Sequence, residues 1–410
     1  MKRPATSGKT PSSKTPPIVV ALGVVSLLTD MSSEMIYPLL PAFLTQVLGA
    51  SIAALGLIEG IAESTSALLK VASGSFADRM PRRKPLVLLG YGIASIVRPL
   101  VAFAQSWPFV LLIRFTDRVG KGIRSAPRDA LLADATDPRN RGAAYGLHRA
   151  LDHTGAVIGP LSASCCLLVL GLEYRQIFLV AAAPAFFAML VLIFFVRETK
   201  RPATQLAAGP GLNWRTLRQD WRILPRELKT LFVAIFFFTL GNSSDAFLIL
   251  RLNDAGVSPA ASAMAWAALH VVKVGATWAG GRLSDQVGAA RMLIWGWLWY
   301  AVIFTAYGLA KDPGTIISLF LLYGIHFGFA EPSERAIVAA MAPVELRGTA
   351  FGLFYFITGL AALPASLLFG WLFQVFGVAV AFSVGGALAL TACLVVWISL
   401  IENKKKRIET

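Results

Sequence analysis

Residues 74–84 read GSFADRMPRRK and residues 281–291 read GRLSDQVGAAR, so the same glycine-to-aspartate spacing occurs twice in one chain. Further along each copy, Arg141, Gly142, Ala143, Ala144, Tyr145, Gly146 is matched by Arg347, Gly348, Thr349, Ala350, Phe351, Gly352. Nearer each start, Ser32, Ser33, Glu34 is matched by Ser243, Ser244, Asp245. Three matches in one order, at a spacing of roughly 206 to 211 residues, imply a duplicated unit of the sort that builds a site between its copies.

What is duplicated follows from composition. The 410 residues are 56% hydrophobic and 15% charged, far from soluble averages. Apolar stretches of spanning length, about 20 residues each, recur along nearly the whole chain. They predict helices near 17–49, 54–77, 85–105, 108–133, 143–170, 176–196, 229–250, 258–281, 291–310, 314–340, 349–375 and 378–400. The expected fold is therefore all-α and membrane-integral, with twelve transmembrane helices in two pseudo-symmetric six-helix bundles, 17–196 and 229–400. A central loop, 197–228, divides them, and short basic tails, 1–16 and 401–410, flank them. Within the loop, Trp214 to Trp221 reads either as a surface-lying amphipathic helix or as a solvated loop.

The net charge of +15 would suit a nucleic-acid partner if the cations formed one stripe. Instead they alternate between loops. Lys2, Arg3, Lys9 and Lys14, the Arg79 to Lys84 loop, Arg139, the central loop and the Lys404 to Arg407 tail fall on one side, and only Arg175, Arg251 and Lys311 on the other. That asymmetry is the positive-inside bias, so both termini are expected in the cytoplasm and no nucleic acid is expected as a partner. The basic start followed by an apolar run resembles a signal peptide, but the run continues to about Leu48 and reads as a retained span. Cys165, Cys166 and Cys393 lie in apolar helices and indicate neither a disulfide framework nor a metal site.

Over essentially its whole length the sequence resembles the major facilitator superfamily. Gly74, Asp78, Arg79, Arg83 and Lys84 stand at the spacing of that family's cytoplasmic loop, with Pro81 where the family prefers glycine. Asp285 belongs to a degenerate second copy in which Gln286 replaces the usual base. Gly155, Gly159 and Pro160 are similar to the family's antiporter motif, although small residues four apart also serve any tight helix contact. Arg114 sits where proton-coupled members carry a membrane-embedded arginine, and Asp117 to Asp129 resembles a bacterial subgroup of these permeases. The resemblance implies a monomeric multi-pass transporter of the bacterial inner membrane that needs no cofactor. It would export a small molecule or ion by proton antiport, with Gly74, Asp78, Arg79, Arg83 and Asp285 forming a conformational gate.

Ionisable side chains inside the hydrocarbon cost about 2.5–3.5 kcal/mol each on insertion scales, so they mark a cavity, an ion path or a structural pair. Asp30, Ser33, Glu34 and Tyr37 share one face of the first helix, and Glu59, Glu63, Ser66 and Lys70 one face of the second. Arg114 and Asp117 open a charged stripe on the fourth helix. On the fifth, His148 and Asp152 align with the small residues, and His153 adjoins them. These nine, Asp30, Glu34, Glu59, Glu63, Arg114, Asp117, His148, Asp152 and His153, are the candidates for proton coupling and the substrate cavity. Asp30 and Glu34 are the expected proton carriers, and structural salt bridges are the competing role. Glu331 and Arg335, four apart, are expected to pair with each other.

The enzyme class is disfavoured by the lack of a zinc-binding His-Glu-x-x-His helix, a nucleophile elbow or a complete phosphate loop. A channel, and a receptor or chaperone on the same scaffold, remain rivals. The balanced interior charges do not choose between cationic drugs, metal ions and organic anions such as siderophores, nor between export and proton-coupled import.

Overall fold

The computed structural model describes residues 15–50, 52–208, 214–242 and 245–402. Before the central segment run α1 (Pro17–Ile36), α2 (Ile52–Asp78), α3 (Lys84–Val97), α4 (Trp107–Ala135), α5 (Arg141–Leu168) and α6 (Tyr174–Phe195). The segment itself contains α7 (Trp214–Ile223). After it come α8 (Arg226–Gly241), α9 (Asp245–Asp254), α10 (Pro259–Val287), α11 (Ala289–Leu309), α12 (Pro313–Met341), α13 (Arg347–Phe376) and α14 (Val378–Val396). Among the described residues, seven helical stretches are long and apolar enough to cross a membrane.

Local chemistry sets the element ends. Ser258 and Asp312 accept backbone amides at the starts of α10 and α12, the usual use of a short polar side chain at a helix N-terminus. Gly288 (φ 101°) and Gly377 (φ 85°) make the abrupt turns after α10 and α13, where a side chain would be strained.

Three expected boundaries differ. The helix expected over 17–49 stops at Ile36, because Pro38 and Pro41 remove amides, and continues as a short turn and a π-helical stretch, Phe43–Val47. The helix expected over 229–250 breaks after Gly241, where Asn242 leaves the helical region (φ −94°, ψ 90°). The Gly241 carbonyl freed by that break accepts the Tyr300 hydroxyl at 2.9 Å. Finally α2 reaches Asp78 and α10 reaches Val287, so both copies of the glycine-aspartate repeat end helices and are not loops.

Helices pack chiefly with neighbours on their own side of the central segment: α1 with α5 and α6, α2 and α3 with α4, α10 and α11 with α12, α11 and α8 with α14. The later group is filled by aromatic rings, with Phe238 stacked on Trp297 at 4.8 Å and Tyr300 on Phe304 at 4.6 Å. The two groups meet along two seams, α2 against α13 and α5 against α10, with α5 also touching α12. Outward surfaces carry exposed Leu168, Phe194, Leu363 and Leu367, as expected of walls that face lipid.

Candidate functional site

At the end of the bundle where α1 begins, hereafter the terminal face, the two groups are clasped by a matched pair of contacts. Asp78 accepts the backbone amides of Gly348 (2.7 Å) and Thr349 (2.6 Å) at the start of α13. Asp285 accepts those of Gly142 and Ala143, both at 2.7 Å, at the start of α5. Each carboxylate thus satisfies orphan donors at the positive end of a helix dipole. Glycines make the approach possible: a methyl group on Gly74 would strike the Gly348 carbonyl, and one on Gly142 the Gly281 carbonyl. The two repeat elements therefore cross, the first copy of one engaging the second copy of the other.

The first clasp carries more charge. Arg83, fully buried, donates to Asp78 at 2.8 Å and also pairs with Asp134, which accepts Arg347 from α13 at 2.5 Å. Arg79 donates to Asp220 of α7 at 2.9 Å, tying the central segment to the same corner. Arg141 reaches across to the Ala339 carbonyl at 2.8 Å. In the second copy, Gln286 and Ala290 occupy the places of Arg79 and Arg83, so Asp285 relies on the two amides.

Deeper in the first group, Asp30 of α1 packs against α5 at Gly155, one helical turn from Asp152. Asp152 accepts Ser26 Oγ at 2.5 Å and pairs with Arg149 on its own helix. Gly155 allows this meeting, since a side chain there would press on Asp30 and the Leu27 carbonyl, and Gly159 does the same for Glu34 and Met31.

Toward the opposite face, Asp117 accepts Arg98 Nε at 2.7 Å and the Tyr37 hydroxyl at 2.5 Å. The Arg114 guanidinium lies 3.9 Å from the Tyr37 ring centre and Arg118 5.6 Å, a favourable arrangement on a π-face. Arg124 sits over Tyr91 at 4.3 Å.

Between the groups, Glu331 of α12 accepts Arg149 through two bonds of 2.7 and 2.8 Å and approaches His153 at 3.3 Å. His153 in turn faces His270, ring centres 5.9 Å apart. Asp129 of α4 accepts the Tyr355 hydroxyl of α13 and lies 3.7 Å from Arg335 of α12. Lys273 is held 3.9 Å from Asp245 and 3.8 Å from the Phe327 ring.

The structure thus gathers Asp30, Asp152 and the small residues Gly155 and Gly159 at one contact, with Pro160 following in α5. It places Arg114 and Asp117 in a second cluster with Glu34 at its edge. His148 is buried one turn before Asp152 on α5, its Nε2 without a hydrogen-bond partner among the described residues. The side chains of Glu59 and Glu63, and the repeat residues Ser243 and Ser244, lie outside the described residues. One expectation is corrected: Arg335 donates to the Glu331 backbone carbonyl at 2.8 Å, while the Glu331 carboxylate crosses to Arg149. A bidentate guanidinium offers a better match than a neighbour along the same helix. Asp129, Tyr355 and Glu331 join the two groups, and their only signal in the sequence is polarity within an apolar run.

A polar interior between two helix groups, clasped at one end, defines a membrane transporter. The family model described as Major Facilitator Superfamily matches residues 22–279 and 231–410, and the chain belongs to that superfamily. It is 34% identical over 368 residues, 87% of this chain and 88% of the relative, to an uncharacterized MFS-type transporter of Methanocaldococcus jannaschii. It is 27% identical over 335 residues, 79% of this chain and 80% of the relative, to the multidrug resistance protein MdtG of Salmonella arizonae. Among solved structures, the human organic anion transporter MFSD10 (TETRAN) superposes with a TM-score of 0.79 at 17% identity, over 93% of this chain and 99% of that one. A bacterial homologue of the iron transporter ferroportin, in an outward-facing state, gives 0.71 at 18% identity over 93% and 99%.

Proposed function

We propose that this transporter exports a small solute from the bacterial cytoplasm by proton antiport, with two six-helix halves of twelve spans alternating access to a midplane site. The observation that carries the reading is the meeting of α1 and α5 that sets Asp30 near Asp152, roughly halfway along those helices and adjoining the Arg149 and Glu331 contact between halves. Two neighbouring buried carboxyls favour a proton on one of them, which leaves when a cation moves closer or water enters and returns when the pair is isolated again. Arg149 is placed to transmit that change, because it touches Asp152 in one half and Glu331 in the other.

In this reading the terminal face is cytoplasmic and the conformation is closed there, with Gly74, Asp78, Arg79, Arg83 and Asp285 as the gate. The positive-inside distribution of Lys and Arg supports that orientation. Export is supported by the relative named for multidrug resistance and by the Gly155, Gly159, Pro160 series at the α1 contact. Asp30 and Glu34 are the carboxyls of α1 that carry protons in this reading, both set against the small-residue face of α5 at Gly155 and Gly159, with Asp152 beside Asp30.

A second reading, transport of an organic anion, is supported by Arg98, Arg114, Arg118 and Arg124 gathered around Tyr37 and Tyr91. Both readings are tested by proton movement in energised inside-out vesicles challenged with cationic drugs, divalent metals and organic anions. Proton release evoked by one class, and lost in Asp30→Asn, supports antiport and names the class. Solute movement with an unchanged pH response in Asp30→Asn and Asp152→Asn would overturn the proton assignment.

A further inference from the structure

The seam between α2 and α13 holds, beside the polar clasp, a cavity of about 410 Å³ lined by none of the residues assigned above to the gate or to proton coupling. Its walls are Leu68 and Ala72 of α2, Leu353 and Phe356 of α13, and Leu217 and Trp221 of α7, joined by Arg218. Leu68 is 62% exposed, so the cavity opens on the outer surface and not on the interior between the halves. Ala72 lies six residues before Asp78, which puts it roughly 9 Å deeper than the clasp. The space therefore runs from the level of lipid headgroups into the hydrocarbon.

The helix that roofs it has two chemical faces. Arg215, Arg218 and Arg222 are spaced three and four apart, share one face and are exposed. Asp220 points the other way and is bound to Arg79 at 2.9 Å, which fixes the rotation of α7. Leu217 and Trp221 fall between these faces and cover the cavity. An apolar slot of this kind, entered from the bilayer beneath a row of guanidinium groups, is complementary to a molecule with an anionic head and an acyl chain. A solute taken from water would leave the slot's apolar wall unused, and a zwitterionic lipid would gain less from the arginines.

We propose that this cavity binds one acyl chain of an anionic phospholipid, its headgroup held by Arg215, Arg218 and Arg222, and that the bound lipid favours the clasped conformation. The second half of the proposal follows from which elements form the walls. Behind the cavity, Gly352 of α13 lies against the backbone of Lys70 and Val71 of α2, so the two walls touch only while the halves are together at this face. Separation at the clasp parts α2 from α13 and destroys the slot. A ligand that binds one conformation better shifts the population toward it by its differential affinity.

The test uses the full-length protein in nanodiscs of phosphatidylcholine with graded phosphatidylglycerol. Native mass spectrometry reads retained lipid, and spin-label distances between α2 and α13 read the clasp. One phosphatidylglycerol retained per protein is expected, weakened about fivefold by Arg218→Gln, which removes one of the interfacial cations. Ala72→Trp, which fills the slot, abolishes retention, and Leu217→Trp does so from the α7 side if the first variant folds poorly. The short label distance becomes more populated as phosphatidylglycerol rises in the parent protein and not in the filled variants. Equal retention of both phospholipids, retention of fatty acid or detergent instead, or retention unchanged by both tryptophan variants overturns the site. A lipid signal without any change in label distances overturns the coupling to the clasp. None of these readouts depends on proton coupling, so the antiport proposal stands or falls separately.

Discussion

Asp78 and Asp285 make the same contact in opposite directions: each ends a helix of its own half and accepts two backbone amides at the start of a helix in the other half. The geometry is matched, but the electrostatics are not, because Arg83 compensates Asp78 while Asp285 relies on its amides. This asymmetry sets the first expectation.

Asp78→Asn should disturb the clasp more than Asp285→Asn. Removing one partner of a buried ion pair costs about 3–5 kcal/mol, and Arg83 would be left with Asp134 alone. Losing the charge of a helix cap costs about 1 kcal/mol. Cysteine accessibility at the terminal face should rise strongly in the first variant and modestly in the second; equal effects would contradict the asymmetry.

The glycine crossings predict a steric ranking. Gly74→Ala and Gly348→Ala place a methyl group on the opposing carbonyl, so the clasp cannot close and transport is lost. Gly92→Ala, whose new methyl would meet only Met189 Cε at 3.7 Å, should transport normally. Initial rates in vesicles at matched protein levels measure both.

Arg149 and Glu331 join the halves near the middle of the bundle through a bidentate pair. A double-mutant cycle with Arg149→Gln and Glu331→Gln, read by thermal unfolding in detergent, should give a coupling energy of about 1–3 kcal/mol. The Arg335→Gln and Glu331→Gln cycle should give a smaller value, since Arg335 binds the Glu331 carbonyl and not its carboxylate. A larger coupling to Arg335 would remove the inter-half pair.

Asp117 and Asp30 should separate structure from coupling. Asp117 is bound by Arg98 and Tyr37 and buried, so Asp117→Asn is expected to lower thermal stability by about 3–5 kcal/mol. Asp30→Asn keeps the size and polarity of the side chain beside α5 but has no transferable proton, so stability should hold while the solute-evoked proton signal disappears. Destabilisation of the Asp30 variant to the same extent as the Asp117 variant would make both aspartates structural.

The sequence by itself determined the helical membrane class, most helix positions and the duplication, because each rests on local apolar length or on repetition along the chain, but it ran the helices that end at Ile36 and Gly241 too far, since the apolar run continues past both breaks. It also marked Asp30, Asp152, Gly155 and Gly159 individually, as a charge or a small residue stands out in an apolar run. Only the tertiary structure decided which of them meet. Gly74 faces Gly348 and Gly142 faces Gly281 because the repeats cross, and linear order cannot distinguish crossed from parallel pairing. Likewise Glu331 chooses Arg149 over Arg335: helical spacing makes the nearer residue available, but the packing of α5 on α12 delivers a guanidinium that the carboxylate can bind with both oxygens.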